Sequence, residues 1–412
     1  MMPHAIAVDA GCTDAGPHYL GTGSTKMTRK ALKRDLRQLM QARDTLLVPL
    51  LIGSCGTDGG VDMMAALCME IAREENLQAH VARVYSEQTA EALAPFLAPF
   101  LAPFLAPFLA HSAIMPLPPA RELTQGTLDE CTHIVALLVA VPLMRGLPPA
   151  HCWHAAKVSE GGGFCTTSTD GGGMLFEIRE DGYVIEPLHA DNACSPHSVA
   201  AHLLYQNADS FVLTDPDIAL DTTHAMYEVL DHRRVRVHGA SIRTMPCTLK
   251  LGGPAAIGDR TMGFTAIADP HVLLSIDAWV EKLRQTIIRG AQHVLGHAED
   301  SHAIDIRAYG WNARNPNAAR APDPPRREVG VMLLVTAPTQ AIASEIARWA
   351  NPLLLHLPLL DDDPIPSFAF PYSPAEAEPG AVYEFRLNHM VHVDDPLALS
   401  RMRIDDVLDC AP

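Results

Sequence analysis

The sequence predicts an α/β protein whose first part is a doubly wound, mostly parallel sheet and whose second part is an α+β region of ferredoxin-like type. The run TLLVPLLIGSCG (45–56) is almost continuously apolar, which is typical of strands buried on both faces of a parallel sheet. Strand-like and helix-like segments alternate around this run, as they do in doubly wound folds. In the second half the order approaches βαββαβ, which favours the ferredoxin-like arrangement. We expect the domains to be residues 1–210 and 211–412.

The elements of the first domain follow in order. HAIAVD (4–9) is a short apolar strand, and Thr28 can cap a helix that runs to about Arg43. A second amphipathic helix is predicted from about Val61 to Glu75, because its apolar side chains recur at helical spacing. The remaining predicted elements of this domain are strands at 80–85 and 132–140, a helix at 151–160, a hairpin turning at Asp181-Gly182, and a helix at 195–208.

The second domain alternates strands and helices. Its predicted elements are a strand at 235–243, a strand and a helix within 264–288, a strand at 301–310, a strand and a helix within 329–350, and a last strand at 381–393. Residues 312–327, which are rich in Pro, Asn and Arg, form a predicted loop.

The motif LAPF occurs four times in tandem between Leu93 and Phe108. Each proline removes a backbone donor, so a regular helix or central strand is not expected here. Two interpretations are compatible with this composition, a proline-rich docking segment and a loop formed by expansion of one repeat unit. We expect a loop over residues 93–110.

The composition excludes several function classes. Lys and Arg total 31 against 48 Asp and Glu, for a net charge of −17. Nucleic acids and anionic membranes require basic surface, so we expect neither as a partner. The 9 cysteines are scattered without a CxxC pair, which favours reduced thiols over disulfides or a zinc ribbon. The sequence has no signal-peptide pattern and no uninterrupted apolar span, so we expect a cytoplasmic protein.

Two polar loops follow predicted strands and are the candidate ligand site. The first, after the strand at 4–9, carries Asp9, Thr13 and Asp14, and the second is the stretch SCGTDGG at 54–60. The loops after parallel strands meet at one edge of a sheet, where α/β proteins bind ligands. In the second loop the predicted ligand-binding residues are Ser54, Gly56, Thr57 and Gly59. A glycine-rich turn before a helix favours an anion such as a carboxylate or phosphate, although the glycines could also serve only tight turns.

Acidic side chains and a cysteine in these loops could carry the chemistry. Asp9 is a candidate general base and Asp14 a second acid, but both residues are also common turn formers. Cys55 could act as a nucleophile at the start of a helix or simply be a small packed residue. On the helix at 151–160, Lys157 and Glu160 could form a polar patch at the site or an exposed ion pair. The loops contain neither a P-loop nor GxGxxG.

The 20 histidines raise the question of a metal site. His151 and His154 lie three residues apart on one helix, but no HExxH motif and no carboxylate at ligand spacing accompany them. We therefore expect neither a metal nor another cofactor.

Several segments together resemble one known family. These segments are VDAGCTDAGPHYLGTG (8–23), KRDL (33–36), PLLIGSCGTDGG (49–60), WHAAKVSEGG (153–162), DGYVIEPL (181–188), CSPHSVAAHLLY (194–205), RVRVHGA (234–240) and YEFRLNHMVHVDDPL (383–397). They resemble the acyclic terpene utilisation (AtuA) family. Its members look like cytoplasmic catabolic proteins that take part in the breakdown of branched acids and terpenoids. The resemblance implies an enzyme-like component acting on an acyl or carboxylate substrate, in some cases with a small ferredoxin-like partner.

The sequence departs from the family pattern in three places. It starts almost at the first strand, it passes from VALLVAVPLM directly to RGLPP, and Gly161 stands where relatives have a cysteine. The segments that differ would belong to the sheet and its ligand edge.

We therefore expect a catabolic enzyme of lyase, hydratase or isomerase type that acts on a small carboxylate or an acyl-CoA thioester. In this hypothesis Asp9 or Asp14 moves a proton next to a carbonyl group, and Lys157 stabilises the negative charge. The alternative is a non-catalytic subunit or degenerate paralogue that binds a ligand or a small ferredoxin-like protein. Homo-oligomerisation is compatible with either hypothesis.

Overall fold

The computed structural model describes residues 2–11, 16–55, 60–93, 114–116, 125–137, 149–160, 172–201, 209–214, 218–312, 327–395 and 397–407. It has the mixed helices and sheets of the predicted α/β class. The chain forms two compact units. Unit 1 comprises Met1–Pro254 and Phe385–Pro412, and unit 2 comprises Ala255–Glu384.

The elements are numbered in chain order. The helices are α1 (His18–Thr22), α2 (Arg29–Leu46), α3 (Val61–Glu74), α4 (Gln125–Glu130), α5 (Pro149–Glu160), α6 (Pro196–Ala201), α7 (Pro270–Leu274), α8 (Ile276–His293) and α9 (Gln340–His356). The strands are β1 (Ile6–Asp9), β2 (Leu50–Gly53), β3 (Ala79–Tyr85), β4 (Glu87–Gln88), β5 (Ile114–Pro116), β6 (Ile134–Leu137), β7 (Met174–Arg179), β8 (Gly182–Pro187), β9 (Val212–Thr214), β10 (Ile218–Asp221), β11 (Met226–Val229), β12 (Val235–His238), β13 (Ser241–Thr244), β14 (Thr248–Ile267), β15 (Ala303–Tyr309), β16 (Val329–Ala337), β17 (Glu376–His392) and β18 (Arg401–Val407).

The first layer of unit 1 contains β1, β2, α2 and α3. Thr28 caps α2 as predicted, because its hydroxyl oxygen accepts a hydrogen bond from the backbone N–H of Ala31. Apolar residues recur every three or four positions along both helices and therefore form one stripe on each. The two stripes pack together in a common core that includes Leu36, Met40, Met64, Leu67 and Ile71.

The predicted doubly wound, mostly parallel sheet is wrong for the described residues. β1 and β2 do pair in parallel, but β3 pairs with β18, and β6 pairs with β4 and β14, all antiparallel. The apolar run at 45–56 forms β2, which is half-buried and carries no information on the partners of β3 and β6. Those partners, β18 and β14, lie far away in the chain, and that is why the inference failed. In β3 the side chains alternate between half-buried and exposed, which is typical of an antiparallel strand with one covered face.

The middle of unit 1 contains two antiparallel sheets and α5. One sheet has the strand order β11-β12-β8-β7 and the other β13-β10-β9. The hairpin at Asp181-Gly182 is confirmed, with Gly182 at φ 146° and no room for a Cβ atom beside the backbone of Val237. The predicted strand at 235–243 is divided into β12 and β13 by Gly239, whose φ is 86°. Helix α5 packs against β7, β8, β10 and β13.

Unit 2 follows the βαββαβ order that the sequence predicts. The elements run β14, α8, β15, β16, α9 and β17, and the strands lie in the order β15-β16-β14-β17. This is the ferredoxin-like arrangement. Its core joins both long helices to alternate residues of β16, and the indole of Trp279 donates a hydrogen bond to the Leu357 carbonyl at 2.8 Å.

The LAPF repeat lies outside the described residues except for its first residue. Leu93 is fully buried in a core cluster together with residues of β6, β14 and β17. The beginning of the repeat is therefore anchored in unit 1.

Candidate functional site

The two predicted ligand loops leave the same edge of a sheet. β1 and β2 run parallel with Val8 opposite Ile52 and Asp9 opposite Gly53. The pairing continues one residue further, because the backbone N–H of Ala10 donates to the Gly53 carbonyl at 2.9 Å. We call this edge, formed by residues 9–11 and 53–55, the rim. The expectation that both loops meet there is confirmed.

The two loops are in direct contact at the rim. A Cβ atom built on Gly11 would collide with the Cβ of Ser54 and lie 3.1 Å from the Ser54 carbonyl oxygen. Only glycine therefore fits at position 11 without a shift of one loop. Ser54 and Cys55 have φ values of 57° and 32°, in the left-handed region that non-glycine residues seldom adopt. The second loop thus turns sharply away from β2 where it contacts the first.

Asp9 is exposed at the rim and has one engaged carboxylate oxygen. Its Oδ1 accepts a hydrogen bond from the backbone N–H of Gly11 at 3.0 Å. This bond is the local turn that aspartate commonly forms. The other oxygen has no hydrogen-bond partner among the described residues, which do not include 12–15 of the same loop.

Cys55 fits the packing interpretation better than the nucleophile interpretation. It is half-buried and packs against the core between α2 and α3. Cys68 lies in the same core, and its pKa is raised to about 11 by burial, with a further contribution from Cys55. A thiolate is therefore disfavoured on the Cys68 side of this core.

The other predicted site residues fall largely outside the described part of the chain. Thr13, Asp14, Gly56, Thr57 and Gly59 are not among the described residues. The backbone of α5 is described at Lys157 and Glu160, but their side chains are not. The structure therefore brings Asp9, Gly11 and Ser54 together, while the roles of the remaining residues stay predictions.

The sequence did not reveal a pocket that begins where the second loop enters α3. The pocket measures about 260 Å³ and is lined by Asp62, Tyr85, Arg401, Met402 and Arg403. Asp62 lies in the first turn of α3, and its Oδ1 accepts hydrogen bonds from Tyr85 and Arg83, both at 2.6 Å. Both hydrogen bonds lower the pKa of Asp62, and the bond from Tyr85 has the larger effect. Residues at either end of the sequence build this pocket, which explains why no local pattern indicated it.

A second group missed by the sequence analysis lies in the core beside α5. The fully buried imidazole of His154 contacts the rings of Tyr183 and Tyr227 edge-on, and the Tyr227 hydroxyl lies 3.4 Å from Nε2. Burial lowers the pKa of His154 to about 4, and His151 contributes in the same direction. Among the described residues, neither His154 Nδ1 nor the Tyr183 hydroxyl has a hydrogen-bond partner.

Among the described residues, His151 and His154 do not form part of a larger cluster of metal ligands. The Nδ1 atom of His151 is within hydrogen-bond distance of the Arg179 carbonyl oxygen, at 3.1 Å. In the part of the chain that the structure describes, no three side chains of His, Cys, Asp or Glu are grouped closely enough to hold a metal ion.

Comparison with protein-family models identifies a family for this chain. The model described as "Acyclic terpene utilisation family protein AtuA" matches residues 155–359, about half of the chain. The chain belongs to the AtuA family. AtuA membership implies a role in acyclic terpene utilisation. No curated protein and no solved structure matches the chain.

The AtuA match covers only some of the predicted site residues. It starts inside α5 and includes Lys157 and Glu160, whereas Asp9 and Ser54 precede it. The match also includes most of unit 2. Among the described helices, none is both long enough and apolar enough to cross a membrane.

Proposed function

We propose that this AtuA-family chain is a catabolic enzyme of lyase, hydratase or isomerase type. Its substrate in this proposal is a small carboxylate or an acyl-CoA thioester from the breakdown of branched acids or terpenoids. The family's role in acyclic terpene utilisation supports the substrate class. We also propose a cytoplasmic location, in keeping with the scattered cysteines.

The contact between Gly11 and Ser54 is the observation that carries this proposal. It holds the loops after β1 and β2 together at one edge of a parallel strand pair. That edge is where α/β proteins place ligand and catalytic groups. In this proposal the second carboxylate oxygen of Asp9, two residues from this contact, is available to a substrate.

Each predicted residue has a role in the proposed reaction. Asp9 or Asp14 removes or delivers a proton next to the substrate carbonyl, and Lys157 stabilises the negative charge that develops on the carbonyl oxygen. The ligand-binding groups are Thr13, Ser54, Gly56, Thr57, Gly59 and Glu160. The hydroxyl and backbone N–H groups among them donate to the anionic part of the ligand. No metal or other cofactor takes part in the proposed reaction.

A turnover assay tests this proposal. The purified full chain, with and without a small ferredoxin-like partner, is incubated with a panel of hydroxy acids and enoyl-CoA thioesters, and products are followed by mass spectrometry. Asp9→Asn keeps the acceptor for the Gly11 N–H but removes the ionisable carboxylate, so kcat falls by about 10²- to 10⁴-fold if Asp9 is the base. Asp44→Asn, a change at a partly exposed position on α2, is the matched control and leaves kcat unchanged. Absence of turnover across the panel, together with unchanged ligand binding in Asp14→Asn, contradicts the proposal.

The first strand pair favours a second candidate function. Ile6, Val8, Leu50, Leu51 and Ile52 are apolar, yet each is only half-buried. Apolar strand residues left partly open are suited to a partner surface. The alternative is therefore a non-catalytic subunit that binds a small ferredoxin-like protein or a second copy of this chain. Binding of ligand or partner without turnover in the same assay distinguishes this function from the enzymatic one.

A further inference from the structure

The pocket at the beginning of α3 contains a positive charge that its neighbours do not neutralise. Arg83 pairs with Asp62 at 2.6 Å and with Asp405 at 2.7 Å. Arg403 also pairs with Asp405, at 2.9 Å. Arg401 has no carboxylate partner among the described residues. Three guanidinium groups thus face two carboxylates, and the group left over is that of Arg401.

The guanidinium of Arg401 is held in place by an aromatic ring. It lies over the ring of Tyr85, 4.9 Å from the centroid, in the geometry of a cation–π contact. The hydroxyl of Tyr85 donates to Asp62 at 2.6 Å, which fixes the ring on α3. The pairing of Arg401 with Tyr85 across β18 and β3 fixes the backbone on both sides. No hydrogen bond to the described residues engages the N–H groups of Arg401, so these groups are free to donate.

The pocket also has the size and lining of a site for one end of a small organic ligand. Its volume of about 260 Å³ is smaller than the cavities that enclose a complete drug-sized ligand. The ring of Tyr85 provides apolar contact beside the charge, whereas the side chain of Met402 belongs to the opposite face of β18. An anionic group with a short apolar body therefore fits this lining better than a neutral or a purely polar one.

From these observations we propose that Arg401 binds the oxyanion group, a carboxylate or a phosphate, of the ligand of this protein. The planar N–H edge of arginine matches two oxygens of such a group. Asp62, in the first turn of α3, lines the same pocket, so the bound anion lies beside the N-terminal turn of that helix. The inference rests on the proposed function and assigns its anion to a specific side chain.

Calorimetric titration of the full chain tests this site. The probes are 3-methylbutanoate, inorganic phosphate and coenzyme A, which separate a simple carboxylate, a free phosphate and a phosphorylated carrier. Arg401→Gln is expected to weaken binding of the preferred probe by about tenfold, the loss typical of a charge-assisted hydrogen bond. Arg401→Lys keeps the charge but loses the planar edge, and its affinity for the probe is expected to lie between those of the parent chain and Arg401→Gln. Arg34→Gln removes the same charge from an exposed position on α2 and leaves the affinity unchanged.

Two variants of Tyr85 distinguish the contribution of its ring to probe binding from that of its hydroxyl. Tyr85→Phe retains the face that supports Arg401 and is expected to bind the probe within about twofold of the parent chain. Tyr85→Leu removes the face and is expected to weaken binding nearly as much as Arg401→Gln. Circular dichroism of each variant verifies that the fold is retained. Because Arg401 is exposed, raising the salt concentration should weaken binding in the parent chain and have little effect in Arg401→Gln.

The outcomes distinguish this inference from the enzymatic proposal. If Arg401→Gln binds every probe as the parent chain does, or if the parent chain binds none at millimolar concentration, the anion site is refuted, whatever Asp9→Asn does to turnover. If Arg401→Gln loses anion binding while no substrate is turned over, the anion site is supported and the enzymatic function is not.

Discussion

Gly11 and Ser54 come from different loops, yet a single Cβ atom added to Gly11 would overlap the Ser54 side chain. A substitution at position 11 therefore tests whether the two loops pack together at the rim. Gly11→Ala is expected to displace one loop and to destabilise the fold by about 1–3 kcal/mol, as overpacking does elsewhere. The free energy of unfolding from urea titration measures this cost.

Gly53→Ala is the control for the rim substitution. Gly53 is at the same edge, but an added Cβ would lie 3.7 Å from the Val8 carbonyl oxygen, an ordinary contact. Its unfolding free energy should stay within about 0.5 kcal/mol of the parent value. Equal effects of the two substitutions would mean that the loops do not press together as the structure has them.

Local sequence signals predicted local structure well. Thr28 at the start of α2 and the turn at Asp181-Gly182 are each governed by a few neighbouring residues, so their patterns were sufficient. The rim was also predictable, because each of its loops directly follows an apolar strand. Strand partners were not predictable, since the pairing of Met402 with Val84 joins positions far apart in the chain and leaves no periodic trace in the sequence.

The anion pocket was also not predictable from the sequence, because it depends on the pairing of distant strands. Asp62 is visible in the sequence only as an acidic residue at the beginning of a helix, which is common. Its relation to Arg401 depends on β18 pairing with β3, and neither strand predicts the other. Likewise, the burial of His154 depends on tyrosines from β8 and β11, so the pattern HCWH alone suggested only a pair of histidines on a helix.

Burial of neutral His154 predicts acid sensitivity. Its pKa is near 6.5 in an unfolded chain and about 4 in the folded protein, so the unfolded chain binds more protons between these values. The stability due to His154 is complete above pH 6.5 and is lost as the pH falls towards 4, by about 3 kcal/mol. His154→Gln cannot titrate, and its unfolding free energy should decrease correspondingly less between pH 7 and pH 4.

Other groups also titrate in this range, so the comparison uses the difference between two proteins. His271→Gln removes an exposed histidine that pairs with Asp363 and should follow the parent curve closely. Parallel curves for His154→Gln and the parent chain would show that His154 is solvated or protonated in the fold.

Removal of the buried Tyr183 hydroxyl is expected to stabilise the protein. Tyr183 is 1% exposed, and its hydroxyl has no hydrogen-bond partner in the described part of the chain. Burying an unpaired hydroxyl costs about 1–3 kcal/mol, so Tyr183→Phe should raise the free energy of unfolding by about 1 kcal/mol. Tyr227→Phe, which removes a hydroxyl 3.4 Å from His154, should not stabilise the protein. A loss of stability in Tyr183→Phe would mean that the hydroxyl is bonded in solution.

In unit 2, helices α8 and α9 approach closely where Gly290 faces Trp349. A Cβ atom on Gly290 would overlap the indole ring, so the short distance between these helices depends on glycine. Two effects of Gly290→Ala oppose each other. Alanine gains about 1 kcal/mol of helix propensity, but displacing a large aromatic ring costs about 1–3 kcal/mol. We expect the steric cost to win, giving a net loss of about 1 kcal/mol in the unfolding free energy.

The double substitution Gly290→Ala with Trp349→Leu separates these two contributions. With the indole absent, the propensity gain remains and the clash does not, so Gly290→Ala should stabilise the Trp349→Leu background by up to about 1 kcal/mol. Urea unfolding of the parent chain, the two single variants and the double variant completes this thermodynamic cycle. The same sign for Gly290→Ala in both backgrounds would show that Trp349 does not cover Gly290, and that a different contact sets the distance between α8 and α9.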